Sequence, residues 1–154
     1  MHVLDAIDEY RRQITREPKN ADLYLRLGNI TRMIGRYPES LENYRRAAEL
    51  DGEDLGILVS AASAEHDFGD LEEAERLYLR TIESGKSNRE LLAGLSDDEV
   101  TAVQGLDFLR KGKRSPWEYQ IINRLGKTLV PPARPEMETG KKKDKRTHRH
   151  GKKR

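Results

Sequence analysis

The chain has 154 residues, of which 35% are hydrophobic and 36% charged, so we expect one domain with a modest core and a highly charged surface. It contains no cysteine, which excludes disulfide bonds, thiolate metal sites and a cysteine nucleophile. No apolar run approaches the roughly 20 residues of a membrane span, so the sequence predicts a cytoplasmic protein without a membrane segment.

The first predicted element is an amphipathic helix within residues 2–18. Val3, Ile7, Tyr10 and Ile14 form one narrow apolar stripe along it, and charged residues occupy the other side. A helix inside a stacked array needs two apolar faces. We therefore interpret this helix as an end cap, equivalent to the second half of a helical hairpin.

Residues 21–54 and 55–88 repeat each other with a period of 34 residues. Small and aromatic residues recur at matching places, as the pairs Gly28 and Ala62, Ser40 and Ala74, and Tyr44 and Tyr78. Between these markers the apolar spacing is helical, with helices predicted near residues 21–35 and 38–50 in the first copy. Each copy therefore predicts a helix–turn–helix hairpin, and a fixed period of this length is typical of repeat arrays.

The pattern resembles the tetratricopeptide repeat. Its signature positions are occupied by Tyr24, Leu27, Gly28, Ser40, Tyr44 and Ala47 in the first copy, and by Leu58, Ala62, Ala74 and Tyr78 in the second. The resemblance implies an all-α solenoid that acts as a scaffold for protein contacts rather than as a catalyst.

A hairpin array leaves a concave surface lined mainly by its first helices, and such surfaces hold extended peptides or partner helices. The resemblance implies which positions face this groove: Asp22, Leu25, Asn29, Arg32 and Met33 in the first copy, and Gly56, Val59, Ser63, His66 and Asp67 in the second. From these we predict that Leu25, Asn29, Arg32, Met33, Val59, Ser63 and His66 bind a protein or peptide partner. The alternative is that they are ordinary exposed helix residues.

After residue 88 the repeat pattern fades, but two more helices are indicated. Ser96 with Glu99 forms a capping-box sequence for a helix near residues 97–110. Ser115 and Pro116 predict the start of another near residues 116–128. We interpret residues 89–129 as a degenerate third unit with a closing helix, so that residues 1–129 form one helical domain. The alternative for residues 116–128 is a separate helix that binds a partner.

Residues 130–154 predict a disordered basic tail, because prolines and charges dominate and large apolar residues are nearly absent. Residues 140–154 carry a net charge of +8, while residues 1–139 carry −6. The cations are Lys141, Lys142, Lys143, Lys145, Arg146, Arg149, Lys152, Lys153 and Arg154. They suggest an alternative function, an RNA- or ribosome-associated factor with non-specific affinity. A solubilising tail, or one that contacts the acidic body, is the simpler interpretation.

No catalytic or cofactor motif is complete. The stretches LGKT at 125–128 and SGKS at 84–87 lack the earlier glycine of a phosphate-binding loop. His148 and His150 have no further ligands nearby in the sequence that would complete a metal site. The sequence therefore predicts a monomeric adaptor that is not an enzyme and needs no cofactor or metal.

Overall fold

The computed structural model describes residues 2–88 and 95–117, and within them the protein forms six α-helices and no β-strand. The helices are α1 (Val3–Arg16), α2 (Ala21–Met33), α3 (Tyr37–Leu50), α4 (Leu55–Phe68), α5 (Leu71–Asn88) and α6 (Asp97–Arg110). The predicted all-α class is confirmed for these residues. The predicted tail, residues 130–154, lies outside the described residues. The predicted closing helix near residues 116–128 also lies outside them from residue 118 onward.

Short polar side chains determine where several helices begin. Asn20 and Asp54 each accept a hydrogen bond from an amide in the first turn of α2 and α4, at 3.1 and 3.0 Å. At α6 the predicted capping box is confirmed, because Ser96 and Glu99 each accept a hydrogen bond from the backbone N–H of the other. These caps satisfy amide groups that the first turn of a helix leaves without a helical partner.

The helices pack in chain order and form two layers. The most extensive contacts join α2 to α3 and α4 to α5, which are the two predicted hairpins. Helix α2 also contacts α4, and α4 contacts α6. Helices α2, α4 and α6 therefore lie side by side in one layer, while α3 and α5 lie in the other.

One buried tyrosine lies at the centre of each hairpin. Tyr44 of α3 and Tyr78 of α5 are both 0% exposed, as the repeat predicts. A Cβ atom on Gly28 would lie only 3.0 Å from the Tyr44 ring, so the glycine lets α2 approach α3 closely. The Ser40 hydroxyl donates to the Gly28 carbonyl at 2.7 Å and fixes this close approach. Burial of a large apolar side chain contributes about 1.5–3 kcal/mol to stability.

The third unit does not keep the period of the first two. Helix α4 begins at Leu55, one full period after Ala21 at the start of α2. Helix α6 begins at Asp97, well beyond position 89, where a third copy would begin. Helix α5 has 18 residues where α3 has 14. The longer helix, with the segment that follows it, moves α6 out of register, which explains why the pattern fades after residue 88.

Helix α1 packs against α2 through the centre of its predicted stripe. Ile7 is buried, whereas Val3, in the first turn, is 40% exposed. Arg11 forms an ion pair with Glu39 of α3 and links α1 to the first hairpin. In the described part of the chain, no helix has both the length and the apolar character that crossing a bilayer requires.

Candidate functional site

The seven residues predicted to bind a partner lie on α2 and α4, but they differ in exposure. Met33 is 67% exposed, and Leu25 and Asn29 are half-buried. Arg32, Val59, Ser63 and His66 are buried, with Arg32 at 4% and His66 at 0% exposure. The sequence suggested an open groove at these four positions. The structure corrects that expectation, because other parts of the same chain surround them.

Arg32 occupies the centre of the site. Its guanidinium donates to the Ser63 hydroxyl at 2.8 Å and to an Asp67 carboxylate oxygen at 2.6 Å. Both side chains of the Arg32–Asp67 ion pair are nearly inaccessible to water, at 2% and 4% exposure. Removal of one partner of such a pair leaves an unpaired charge in a poorly hydrated place and costs about 3–5 kcal/mol. The pair is therefore a structural link between α2 and α4.

The covering element is a short segment, residues 113–117, that we call the strap. It follows α6 directly, and Gly112, with φ of 73°, lets the chain reverse. The amides of Gly112 and Lys113 donate to the Leu109 and Phe108 carbonyls, the pair of bonds that defines a Schellman motif. The turn directs residues 113–117 back onto the side of α2 and α4 that carries Asn29, Arg32, Ser63, His66 and Asp67, which we call the first-helix face.

Ser115 anchors the strap on Asp67. Its backbone N–H donates to one carboxylate oxygen at 2.6 Å, and its hydroxyl donates to the other at 2.7 Å. The Oδ2 atom of Asp67 thus accepts from both the Ser115 hydroxyl and the Arg32 guanidinium, while Oδ1 accepts from the Ser115 N–H. Hydrogen bonds to an ionised group are stronger than neutral ones, and all three groups here are buried.

His66 provides a second backbone contact. Its Nε2 atom lies 2.7 Å from the Lys113 carbonyl oxygen, and its Nδ1 atom lies 3.0 Å from the Tyr78 hydroxyl. A carbonyl oxygen can only accept, so Nε2 carries the proton. In the neutral ring, Nδ1 then accepts from the Tyr78 hydroxyl. Burial and the Asp67 charge raise the pKa of Tyr78, which keeps that hydroxyl protonated as a donor.

Trp117 completes the contact. Its ring centre lies 4.0 Å from the guanidinium carbon of Arg32, within the range of a cation–π interaction. Phe68 lies near the same guanidinium at 5.1 Å from its ring centre. Arg32 therefore forms polar bonds at its nitrogen atoms and offers its flat face to aromatic rings, a combination that lysine cannot provide.

Asn29 has a partner inside its own hairpin. Its side-chain oxygen accepts a hydrogen bond from the Tyr44 hydroxyl at 2.5 Å. The sequence suggested that this amide is free to pair with a peptide backbone. The carbonyl oxygen instead accepts from Tyr44, so a ligand would bind the NH₂ group of the amide.

Sequence reasoning placed Asp67 on the groove but did not select it as a site residue, and it interpreted Ser115 and Pro116 only as a helix start. The one signal for their roles is that Arg32 and Asp67 occupy neighbouring groove positions in consecutive copies. The nine tail cations predicted to bind nucleic acid, from Lys141 to Arg154, lie outside the described residues.

A second concavity of about 490 Å³ lies between α3, α4 and α5. Four of its charged residues pair with one another: Arg45 binds both oxygens of Glu65, and Arg76 pairs with Glu73. Among residues 2–88 and 95–117, no group of three His, Cys, Asp or Glu side chains is arranged to hold a metal ion. The first-helix face is thus the stronger candidate.

No protein-family model matches this chain, and no curated protein matches it significantly. The tetratricopeptide resemblance therefore stays a prediction.

Proposed function

We propose that this protein is a scaffold for protein contacts, in which a short array of tetratricopeptide-like hairpins binds an extended polypeptide on its first-helix face. One observation carries the proposal. This face already holds a segment of the chain, the strap, through groups suited to a polypeptide backbone. His66 donates to a backbone carbonyl, and Asp67 accepts from a backbone N–H.

The chemistry of the face supports a peptide ligand. Backbone-directed bonds give affinity for any extended chain, while a ring-binding guanidinium adds preference for certain side chains. On the same helix as Arg32, Met33 presents an exposed apolar side chain and Leu25 a half-buried one. We further propose that the protein is a monomer of the cytoplasm, that it binds its partner without a cofactor, and that it catalyses no reaction.

The test compares two exposed apolar residues on opposite layers. A partner identified by cross-linking to the full chain would be purified, and its dissociation constant measured with Met33→Ala and with the control Leu79→Ala, which removes a 46% exposed side chain from α5. We expect Met33→Ala to weaken binding about five- to tenfold and Leu79→Ala to leave it unchanged. Equal constants for both variants and the wild type would contradict a site on the first-helix face.

The basic tail supports a second candidate function, sequence-independent RNA binding. Nine cations lie within residues 140–154, with a single acid among them. If about five of them engage phosphates, log K should fall with log salt at a slope near −3.5 for single strands. The measurement is a salt titration with a homopolymer RNA, and deletion of residues 140–154 should abolish binding. A full chain that RNA fails to retain at about 50 mM salt would exclude this function.

A further inference from the structure

We propose that the strap is an internal copy of the ligand, so that the first-helix face selects partner segments in which a hydroxyl residue is followed by proline and an aromatic residue. This inference rests on the proposed function and specifies the partner. It also means that a partner competes with the protein's own residues 113–117 for the site.

The hydroxyl residue is selected by Asp67. Its two carboxylate oxygens accept from the N–H and the Oγ–H of the same serine, at 2.6 and 2.7 Å. An alanine at this place would leave one of these buried oxygens with one hydrogen bond fewer, and an acidic residue would bring a second negative charge against the carboxylate. Serine or threonine is therefore preferred over both.

The next two positions follow from the neighbouring groups. Pro116 is buried and has no N–H, so at this position the backbone brings no donor into the contact. Proline also restricts the preceding serine to extended conformations, which suits a segment laid across helices. The residue after it places its ring 4.0 Å from the guanidinium carbon of Arg32, and every aromatic ring offers the face that this contact needs.

The contact at Lys113 does not depend on the side chain, since His66 bonds to the Lys113 carbonyl. The motif that these contacts select is thus a hydroxyl residue, proline and an aromatic residue. A tethered strap acts at an effective concentration of the order of millimolar, so it masks the site from weak ligands and yields to tighter ones.

The test uses a fluorescein-labelled peptide with the sequence of residues 111–117, KGKRSPW, and measures fluorescence anisotropy with the full chain. The strap-released variant Ser115→Ala/Trp117→Ala should bind this peptide at least about tenfold more tightly than the wild type. The control variant Arg110→Ala/Lys111→Ala removes two exposed side chains just before the strap and should bind like the wild type. The peptide KGKRAPA should not bind the released variant.

A folded released variant that binds KGKRSPW no better than the wild type, or that binds KGKRAPA equally well, would overturn the inference. If the released variant does not fold, the wild type still provides a test, because Trp117 is its single tryptophan. A millimolar excess of the tryptophan-free peptide KGKRSPY should displace the strap and shift Trp117 emission towards that of a hydrated indole. A Trp117 emission spectrum that stays unchanged at saturating peptide would equally overturn the inference.

These results separate the inference from the proposed function. If a partner binds at Met33 with the same dissociation constant for the wild-type and released chains, the scaffold function is supported and the strap does not compete with the partner. Conversely, the released chain could bind the strap peptide while Met33→Ala leaves partner binding unchanged. That result would support the peptide site and contradict the scaffold function as proposed.

Discussion

The α2–α3 hairpin and the α4–α5 hairpin bury a tyrosine in the same way, but the two hydroxyl groups have different partners. Tyr44 donates to Asn29 within its own hairpin, whereas Tyr78 pairs with His66, which in turn donates to the strap. Met33 of the first hairpin is exposed, and its counterpart in the second, Asp67, is buried against Ser115. The Tyr44 hydroxyl thus pairs within its own hairpin, whereas the Tyr78 hydroxyl is coupled through His66 to the segment that covers the second hairpin.

Two glycines at equivalent positions also meet different demands. Gly35 ends α2 with φ of 82°, a left-handed conformation that side chains disfavour. Gly69 ends α4 with φ of −132°, where a Cβ atom would lie 2.4 Å from a Glu65 oxygen and 3.1 Å from Leu41. One is needed for its backbone angle and the other for close packing, so a shared residue in a repeat does not imply a shared reason.

The largest expected effect comes from truncation of the two tyrosines. Tyr44→Ala and Tyr78→Ala should each lower the free energy of unfolding by about 3–5 kcal/mol, because both remove a fully buried aromatic side chain. Tyr78→Ala should be the more severe, because the partner that its hydroxyl leaves unpaired, His66, is fully buried, whereas Asn29, the partner of Tyr44, is half-buried. Urea unfolding followed by circular dichroism measures both. A loss below about 0.5 kcal/mol for Tyr44→Ala, the range of ordinary surface substitutions, would contradict the repeat alignment.

The next prediction tests the difference in burial between the exposed Met33 and its buried counterpart Asp67. Asp67→Asn should lower stability by about 3 kcal/mol, because Arg32 then stays buried without a carboxylate. The matched control is Asp107→Asn, which breaks an exposed pair with Lys111 and should change stability by less than about 1 kcal/mol. Thermal unfolding of both variants measures these losses of stability. Equal effects would mean that the Arg32–Asp67 pair is hydrated rather than buried.

A third comparison concerns the glycines that face each tyrosine from the neighbouring helix. A Cβ atom on Gly105 would lie 2.3 Å from the Tyr78 ring, while one on Gly28 would lie 3.0 Å from the Tyr44 ring. Gly105→Ala should therefore cost about 1–3 kcal/mol through overpacking. Gly28→Ala should cost less, because its contact is looser and the helix preference for alanine, about 1 kcal/mol at either position, offsets a larger share of it. A reversed order in unfolding measurements would show that α6 adapts more readily than α3.

Alkaline pH should weaken both hairpins. Burial raises the pKa of Tyr44 and Tyr78 above 10, so the folded protein keeps protons that the unfolded chain releases. Stability is then full below about pH 10 and falls above it, and the contribution of Tyr78 to this decline is about 1.4 kcal/mol at pH 11. Tyr78→Phe should remove this contribution and leave that of Tyr44. The readout is the urea midpoint as a function of pH.

The smallest effect separates the two hydroxyl groups. Tyr44→Phe and Tyr78→Phe should each cost about 1 kcal/mol, the usual value of one hydrogen bond. Only Tyr78→Phe should also change the emission of Trp117, because its hydroxyl orients the His66 ring that holds the strap. A change of emission in the Tyr44 variant alone would contradict the link from the Tyr78 hydroxyl through His66 to the strap.

The sequence predicted the hairpins well because their markers are local. Periodic apolar residues, the Ser96–Glu99 cap and the regular spacing of Tyr44 and Tyr78 all depend on neighbours within one or two helices. All six helices described in residues 2–88 and 95–117 were indicated in this way.

The candidate site was harder to predict, because its contacts join distant residues whose types are common at surfaces. An arginine, a serine and an aspartate on helices usually face water, and nothing near Arg32 or Asp67 in the sequence signals that both are buried. The role of the strap was missed for a related reason: Ser115 and Pro116 carry the chemistry of a helix start, and Ser115 uses its hydroxyl for Asp67 as well as for the Trp117 amide.

The Ser115–Asp67 contact has a consequence for the order of folding. The hairpins close between helices that adjoin in the chain, whereas this contact joins residues 48 positions apart. Closing a longer loop loses more chain entropy, and distant contacts slow the step that forms them. The strap should therefore dock last, onto hairpins already assembled. In a refolding experiment, far-ultraviolet circular dichroism should recover before Trp117 emission. The single tryptophan would then report the rate of the final step.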